Sequence, residues 1–561
     1  MGGFVEFLQA VVYDIYPHCF LPAQSMEEGR KRGTENRRVA RAAGVVGLAT
    51  MLSRISGFLR DMVVAAFFGA GLTTDAFFVA FRIPNMLRRL LGEGSLTVSF
   101  VPVFTEYLNK KTKAEAYELA NIAFTLLSII LVLVSIAGII FSPLIVTIMA
   151  PGWYIDRPDH YHLTVFLNRL MFPYIFFIAL VALCMGILNS LRHFAAPALS
   201  PVILNVCMIL AVLLLMDFFP EPITALAVGV MIGGVLQLAM QWPFLVKFGL
   251  KLKPNFNFGH PGLKKIGLLM LPAVFGASIY QINIFIATIL ASLLPSGSVS
   301  YLYYADRVVE LPLGVFAIAV GTAALPSFSE QVAKGDFHEL KGTINFSLRL
   351  ILFVTIPATV ALIVLRVPII SVLFQRGAFD IQSTLLTAQA LLCYAVGLWA
   401  FSVIRVIVSA FYSLQDAKTP MMAAIVAFIV NGICSIVLMY PLKHSGLALA
   451  TSIATAVNVV MLSVILRRKI GAFLDQQFYH SVFSVFLSSL AMWGIIMLIE
   501  TIVPWRNEGH LNERLLYLTL CIVAGMATFF TAARLTKCAE MTMIIDVVKK
   551  KLMTSKPSDN G

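Results

Sequence analysis

The residues of this sequence whose type and spacing could do chemistry are arginines placed inside apolar runs. The stretch "LSRISGFLRD" puts Arg54, Arg60 and Asp61 within an otherwise apolar segment at 42–70. A charged side chain at the centre of a bilayer costs roughly 2.5–3.5 kcal/mol on insertion scales, so such residues face a wet cavity, pair with an opposite charge or reach the interface. Arg54 and Asp61 are seven residues apart and are therefore predicted to share one helix face.

The segment that follows adds to a local surplus of positive charge. Residues 51–95 hold five arginines against three acidic residues, a balance of +2: Arg54, Arg60, Arg82, Arg88 and Arg89 against Asp61, Asp75 and Glu93. Guanidinium stays charged, and its planar fork matches phosphate oxygens bidentately. Two interpretations stay open. Either the surplus arginines bind an anion, or they pair internally, as Arg89 with Glu93 one turn on, or mark a helix end.

A second arginine site lies in "YYADRVVELPLGV" at 303–315. Arg307 is flanked by Asp306 and, one turn on, by Glu310, so this stretch is locally negative and an internal ion pair is a strong alternative. The position of Arg307 is informative, because it lies 225 residues after Arg82. That spacing equals the offset of an internal repeat described below. Corresponding helices of the two repeats are therefore predicted to present an arginine to one central cavity.

The elements that must position these residues are membrane helices. The chain has 561 residues, of which 59% are hydrophobic and only 13% charged, whereas soluble proteins average about 25% charged. Apolar stretches of the roughly 20 residues needed to span a bilayer recur from end to end. The sequence therefore predicts an all-α polytopic membrane protein with about fourteen transmembrane helices. Two of the predicted spans, 75–107 and 298–326, contain Pro or Gly and are expected to be broken.

The loops alternate in charge. Lysines and arginines gather in every second loop, among them "NKKTK" at 109–113, the segment 247–265 and "RRK" at 467–469. By the positive-inside rule these loops and both termini are cytoplasmic, which an even number of helices requires. The same rule accounts for the net charge of +13, so a nucleic-acid partner is not expected. The seven scattered cysteines show no ligand or disulfide spacing, and no metal is expected.

An internal repeat is visible at a nearly constant offset of 223 to 225 residues. Three pairs of motifs carry it: "PVFTE" at 102–106 with "PSFSE" at 326–330, "PLIVTIMAPG" at 143–152 with "PIISVLFQRG" at 368–377, and "NSLRHFAAP" at 189–197 with "YSLQDAKTP" at 412–420. Each unit holds six predicted helices, so the repeat is parallel, and two such lobes with a cavity between them suit alternating access.

The repeat predicts five regions of the chain. They are a basic cytoplasmic tail at 1–40, an N-lobe of six helices at 41–250, a C-lobe of six helices at 251–470, an additional helix pair at 471–540 and a second cytoplasmic tail at 541–561. Within the first tail, two interpretations of residues 1–25 stay open: Met26 is the true start, or this segment lies along the membrane surface. The sequence has no GxxxxGKS loop for ATP, which favours transport driven by an ion gradient or by membrane potential.

Five motifs resemble those of one known family. "SRISGFLRD", "TDAFFVAFRIPNMLRRLLGEGSLTVSFVPVFTEY", "YYADRVVELPLGVFAIAVGTAALPSFSE", "FQRGAFD" and "AFYSLQDAKTP" occur in order and at fitting spacing. Over residues from about 40 to 535 the sequence resembles the MurJ (MviN) family of bacterial lipid II flippases. The resemblance implies membership of the multidrug/oligosaccharidyl-lipid/polysaccharide exporter superfamily and fourteen helices in two lobes.

The resemblance also implies a function. The expected activity is alternating-access transfer of lipid II, the undecaprenyl-diphosphate-linked peptidoglycan precursor, from the cytoplasmic to the periplasmic leaflet of the bacterial inner membrane. The chain is then a transporter and not an enzyme, and its expected partners are lipid II, membrane lipids and the cell-wall synthesis machinery. The helix pair at 471–540 takes the place of the family's groove for the lipid tail.

Site residues follow from the motifs. The family's important arginines match Arg54, Arg60, Arg88 and Arg307, and its acidic residues match Asp75 and Glu93. We expect the arginines, with Arg82 and Arg89 beside them, to hold the diphosphate. We expect Asp75 and Glu93, together with Asp61 and Glu310, to act as charge partners or gates.

One position departs from the family pattern. Some members bind sodium through an aspartate on the seventh helix, where this sequence has Ala287. Asn431 and Asp416 are polar, but a full sodium site is not expected, so the coupling ion is left open and no cofactor is predicted.

Three other functions stay open. A flippase for another polyprenyl-linked glycan and a drug exporter of the same superfamily are the nearest, although a cation exporter should line its cavity with carboxylates. An intramembrane polyprenyl-phosphate glycosyltransferase would need an acid/base or metal cluster at one membrane face, and none is evident in the sequence.

Overall fold

The computed structural model of this protein describes residues 26–88, 96–505 and 509–543. Within these ranges the regular structure is helical and no β-strand occurs. The first ten helices are α1 (Met26–Phe68), α2 (Leu72–Arg88), α3 (Leu96–Lys110), α4 (Lys113–Ile140), α5 (Ser142–Met149), α6 (Pro151–Asp156), α7 (Pro158–Met171), α8 (Tyr174–Ser190), α9 (Ala195–Leu215) and α10 (Thr224–Lys247).

Eleven further helices follow. They are α11 (Pro261–Ser292), α12 (Ser298–Pro312), α13 (Ile318–Lys334), α14 (Phe337–Val364), α15 (Arg366–Phe374), α16 (Ile381–Val396), α17 (Leu398–Ser413), α18 (Lys418–Leu442), α19 (His444–Ile470), α20 (Gln476–Ile502) and α21 (Leu511–Leu535). A π-helical turn, Leu313–Ala317, joins α12 to α13 directly after Pro312. Proline removes a backbone donor and disturbs the helix ladder, so the predicted interruption of 298–326 is confirmed.

The described chain forms two compact units. The N-unit consists of Gln24–Ser300 with the short segment Arg376–Asp380. Inside it, α1 packs against α9, α9 against α10, and α2 against α7. Its apolar core is built mainly from α3, α4, α8 and α10, and includes Phe100 and Phe104, whose stacked rings lie 5.2 Å apart. Burial of such apolar side chains against one another holds these four helices together.

The segment Arg376–Asp380 packs into the N-unit next to the end of α1. The backbone N–H of Ala378 donates to the carbonyl oxygen of Ala66 at 2.8 Å. Gly69 and Gly377 both have left-handed backbone angles, φ +64° and φ +57°. A Cβ on Gly69 would overlap the backbone carbonyl of Ala378, and a Cβ on Gly377 would overlap that of Ala66. Only glycine meets both conditions at this crossing.

The C-unit comprises Tyr301–Gln375 and Ile381–Gly561 within the described residues. One core cluster joins α13, α14, α17 and α19, around the fully buried side chains of Phe328 and Phe411. A second cluster joins α20 and α21 to α14 and α15, so the additional helix pair belongs to this unit. The helix α11 makes its contacts in the N-unit, whereas the internal repeat assigns it to the C-lobe. Because helix contacts and the sequence repeat are separate criteria, the predicted lobe boundaries stay predictions.

The internal repeat is visible in the helix bounds. The helices α4 and α14 each have 28 residues and start 224 residues apart. The ends of α1 and α11, Phe68 and Ser292, are also 224 apart. After α8 and α17 the chain turns through left-handed residues at equivalent positions, Arg192 (φ 61°) and Gln415 (φ 58°). The two repeats therefore share helix lengths and helix-ending turns at equivalent positions.

Ten helical stretches in the described residues are long and apolar enough to cross a membrane. They are Lys113–Ile140, Pro158–Ser190, Ala195–Phe218, Thr224–Lys247, Phe337–Val364, Ile381–Ser413, Lys418–Leu442, His444–Ile470, Gln476–Ile502 and Leu511–Leu535. A polytopic helical membrane protein is thereby confirmed. The other four predicted spans are also helical where they are described, and the count of fourteen stays a prediction.

Candidate functional site

Arg60 lies buried on α1 in a polar cluster. Its guanidinium donates to Oδ1 of Asp61 from Nε (3.0 Å) and Nη2 (2.6 Å), and from Nη1 to Oδ1 of Asn205 on α9 at 3.1 Å. The side-chain amide of Asn205 donates in turn to Ser56 Oγ at 3.1 Å. Asp61 is 2% exposed. A buried charge is tolerated only when paired and hydrogen-bonded, so this network holds Arg60 in one orientation on α1.

Arg54 differs from Arg60 in being exposed. Within the described part of the chain its guanidinium forms no hydrogen bond or ion pair. The seven-residue spacing to Asp61 does not bring the two side chains together, because Asp61 is turned to Arg60. Arg54 is thus a cation without a partner among the described residues, and it lies one and a half turns before Arg60, whose charge Asp61 neutralises.

Asp75 lies in the first turn of α2 and is 1% exposed. Its carboxylate accepts hydrogen bonds from the backbone N–H of Gly297 (2.6 Å), the backbone N–H of Ser300 (2.8 Å) and the Ser300 hydroxyl (2.5 Å). The first N–H groups of a helix have no partner inside that helix, and an anion there is favoured by the helix dipole. Asp75 therefore caps α12 from a distant position in the sequence.

Two more predicted arginines lie on α2. Arg82 is partly buried and donates through Nη1 to the hydroxyl of Thr288 on α11. Arg88 donates from Nε to Oδ1 of Asn85, three residues earlier, at 3.0 Å. Arg89 and Glu93, the remaining predicted pair, lie outside the described residues.

Arg307 lies on α12 in the C-unit. Its Nη1 donates to Glu310 Oε2 at 2.9 Å and its Nη2 to the Tyr303 hydroxyl at 3.0 Å. The guanidinium carbon also lies 5.0 Å from the centre of the Tyr303 ring, in reach of a cation–π interaction. Both charged side chains are partly open, 33% exposed for Arg307 and 47% for Glu310, so an anion has access to the pair.

The predicted second-lobe polar positions do not form one group in the described contacts. Ala287 is half-buried on α11, and Asn431 is buried on α18. Asp416 lies in the turn before α18 and binds Lys469 Nζ at 2.5 Å. In the described residues no cluster of three His, Cys, Asp or Glu side chains has a geometry that would hold a metal ion.

Sequence reasoning missed several residues. Asn205 and Ser300 gave no signal, because their partners lie 145 and 225 residues away. Arg169 on α7 and Arg405 on α17 are exposed arginines inside candidate membrane spans, and neither guanidinium forms a hydrogen bond or ion pair within the described residues. Each stands alone in an apolar window, and a search for isolated charges in apolar windows would have found both.

Comparison with known proteins shows the family of this chain. The family model "Lipid II flippase MurJ" matches residues 64–519. A protein of Buchnera aphidicola named probable lipid II flippase MurJ is 38% identical over 474 residues, covering 84% of this chain and 92% of the relative.

Solved structures show the same fold. The structure described as lipid II flippase MurJ in an inward closed conformation superposes with a TM-score of 0.74 at 28% identity, covering 87% of this chain and 98% of that one. An inward-facing multidrug transporter of the MATE family, from the exporter superfamily named above, superposes with a TM-score of 0.63 at 15% identity, covering 77% of this chain and 98% of that one, and shows the fold alone. This chain belongs to the MurJ family of lipid II flippases.

Proposed function

We propose that this protein is a lipid II flippase, a transporter that moves the polyprenyl-diphosphate-linked peptidoglycan precursor from the cytoplasmic to the periplasmic leaflet of the inner membrane. The observation that carries the proposal is the exposed Arg54 without an ion pair, one and a half turns before the fixed Arg60 on α1. A membrane helix retains such cations where they meet an anion. The family indicates which anion this is, because its members are named lipid II flippases and lipid II is a lipid diphosphate.

In this proposal Arg54, Arg60 and Arg88 bind the diphosphate of the substrate, and Arg307 is assigned the same ligand from the family motif alone. Guanidinium groups suit this ligand, because each can donate two parallel hydrogen bonds to phosphate oxygens. Asp61 and Glu310 serve as counter-ions when no substrate is bound, since each already accepts from its arginine at 2.6 and 2.9 Å. When the substrate binds, the arginine exchanges its carboxylate partner for a phosphate partner, and the amount of buried unpaired charge changes little.

Asp75 has a different role, because its carboxylate is occupied by the backbone at the start of α12. We propose that it acts as a gate residue: the Asp75 bond to α12 is made in one transport state and released in the other. Alternating access needs such contacts that have two discrete arrangements.

The remaining assignments follow the family. The lysine-rich loops and both termini are cytoplasmic, and the transporter works beside the cell-wall synthesis machinery. The polyprenyl tail lies against α20 and α21, whose outward apolar side chains include Phe483, Leu516 and Val523, 66%, 72% and 61% exposed. Transport is driven by an ion gradient or by membrane potential.

Complementation of a bacterium depleted of its own MurJ tests the proposal. The chain should restore growth and cell shape, and Arg54→Ala and Arg307→Ala should not, at equal protein levels. Lys334→Ala is the matched control, since Lys334 is an exposed cation paired with Glu330 in the last turn of α13. Growth supported by both arginine variants would refute the assigned roles of these arginines. A chain that turns over polyprenyl-phosphate sugar donors after purification would instead be a glycosyltransferase.

A further inference from the structure

The loop between α10 and α11, residues 248–260 and here named the linker loop, combines lysines with exposed aromatic side chains. Phe256 is 67% exposed and Phe258 40%. Lys251 and Lys253 are exposed on the same loop. From 247 to 265 the sequence holds five lysines and no acidic residue. The loop is therefore a cationic and aromatic surface with no role in the site described above.

The linker loop is fixed along three turns of α4. The Tyr117 hydroxyl donates to the carbonyl of Phe248 at 2.6 Å. The Asn121 side chain donates to the carbonyl of Lys251 (3.3 Å) and accepts from the N–H of Lys253 (3.2 Å). The N–H of Asn255 donates to Thr125 Oγ1 at 3.0 Å. Because these bonds hold the backbone, the loop presents its side chains in a set arrangement.

The side chains alternate along the held backbone. Leu250 is 1% exposed in the core of the N-unit, and Leu252 packs against the same core. In an extended chain successive side chains point to opposite sides, so Lys251 and Lys253 both point outward. Within the described residues neither lysine forms an ion pair, whereas Lys265 is bound to Glu106 at 2.6 Å. The two outward lysines thus carry positive charge that the protein does not neutralise.

The two phenylalanines follow directly. Their rings meet edge to face, 6.1 Å apart at 72°. Aromatic rings beside basic side chains are the combination found at the boundary between acyl chains and head groups, where the rings enter the apolar layer and the cations stay at the phosphates. The loop begins directly after Lys247, the end of a candidate membrane span, so a bilayer surface lies within its reach.

We propose that the linker loop is a binding site for anionic phospholipid. Lys251 and Lys253 contact the phosphate groups, and Phe256 and Phe258 insert at the edge of the acyl layer. The charge complementarity favours a lipid surface over a neutral protein partner, since basic residues are attracted to the negative surface of an anionic membrane. The site is independent of lipid II transport, and its loss leaves the arginine site intact.

Competition between phosphatidylglycerol and phosphatidylcholine on the purified full-length chain tests the proposal, with native mass spectrometry as the readout. The wild type should retain phosphatidylglycerol preferentially, and Lys251→Gln/Lys253→Gln should lower that preference about thirtyfold. The matched control, Lys110→Gln/Lys334→Gln, removes two exposed lysines that are already paired with glutamates and should leave it unchanged. Equal preference in the linker and control variants, or none in the wild type, would overturn the proposal.

The depth of the aromatic pair gives a second measurement that does not depend on the lysine variants. The tryptophan fluorescence of Phe256→Trp in nanodiscs should be quenched by lipid that is brominated along its acyl chains. This quenching should exceed that of the parent chain, which has only the five native tryptophans. High salt should weaken phosphatidylglycerol retention while leaving this quenching largely in place, because screening acts on the lysines and not on the rings. Absence of additional quenching would show that the loop faces water or a protein partner and would contradict the proposal.

Discussion

The carboxylate of Asp75 accepts the backbone N–H of Gly297 at 2.6 Å, which ties the first turn of α2 to the start of α12. The second oxygen of the same carboxylate accepts two hydrogen bonds from Ser300. Arg307 lies two turns further along α12, so Asp75 caps the helix that carries this arginine.

Asp75→Ala should free the start of α12 and abolish complementation. Each hydrogen bond from a backbone donor to a charged acceptor is worth about 1.5–3 kcal/mol, and the N–H groups of Gly297 and Ser300 would lose theirs. Amide hydrogen exchange over the first turn of α12 should increase. Ser300→Ala is the control, because it removes only the hydroxyl and leaves both backbone bonds to Asp75. Unchanged exchange in Asp75→Ala would contradict the capping role.

Asp61→Asn should strengthen the binding of a polyprenyl diphosphate to the purified protein, and Arg60→Ala should weaken it. The asparagine removes the negative charge that competes with the ligand for Arg60 but keeps an oxygen that can accept from it. Equilibrium binding of undecaprenyl diphosphate is the measurement, with a several-fold change expected in each direction. Weaker binding in Asp61→Asn would show that Asp61 has more than a counter-ion role.

Gly377→Ala should prevent the crossing of Arg376–Asp380 over the end of α1. A left-handed backbone at a non-glycine residue costs roughly 1–3 kcal/mol, and the added Cβ would also overlap the carbonyl of Ala66. The variant should accumulate poorly and melt at a lower temperature. Gly494→Ala on α20 is the matched control, because a Cβ there meets nothing within 4 Å. Equal melting temperatures for both variants would show that this crossing is not needed for stability.

The ion pair between Asp416 and Lys469 gives a dependence on pH. Hydrogen bonds from Lys469 and from the Thr419 side chain and backbone lower the pKa of Asp416 from 3.8 to about 2. A lowered pKa in the folded protein means that the stabilisation is complete above pH 4 and is lost as the pH falls towards 2. Because Lys469 is 44% exposed, the gain is about 1 kcal/mol or less.

Thermal unfolding across pH measures this contribution. Asp416→Asn should lower the melting temperature slightly at pH 7, and the difference from wild type should shrink below pH 4. A difference that stayed constant down to pH 2 would show that the charge of Asp416 is not the cause.

Local patterns predicted the helices and the repeat. Apolar length and loop charge placed the long helices, and three short motifs gave the offset that the bounds of α4 and α14 reproduce. These features depend on residues near one another in the chain, where hydrophobicity and turn chemistry act directly. The family resemblance depends on contiguous motifs, and the family model and the relatives confirmed it.

The contacts that orient the site were not predictable in this way. Asn205 binds Arg60 from 145 residues away, and the backbone of Ser300 binds Asp75 from 225 residues away. An asparagine or a serine in an apolar helix has no periodic signature, and only the packed fold selects its partner. The sequence therefore predicted on which helices the charged residues lie, but not which group each one contacts.

The exposure of lipid II on the periplasmic side of the membrane tests the central claim most directly. In a bacterium depleted of its own MurJ, this chain should restore the fraction of lipid II that a periplasmic lipid II-cleaving toxin can reach, and Arg307→Ala should not. Lipid II that accumulates but stays inaccessible in cells expressing the wild-type chain at normal levels would contradict the account.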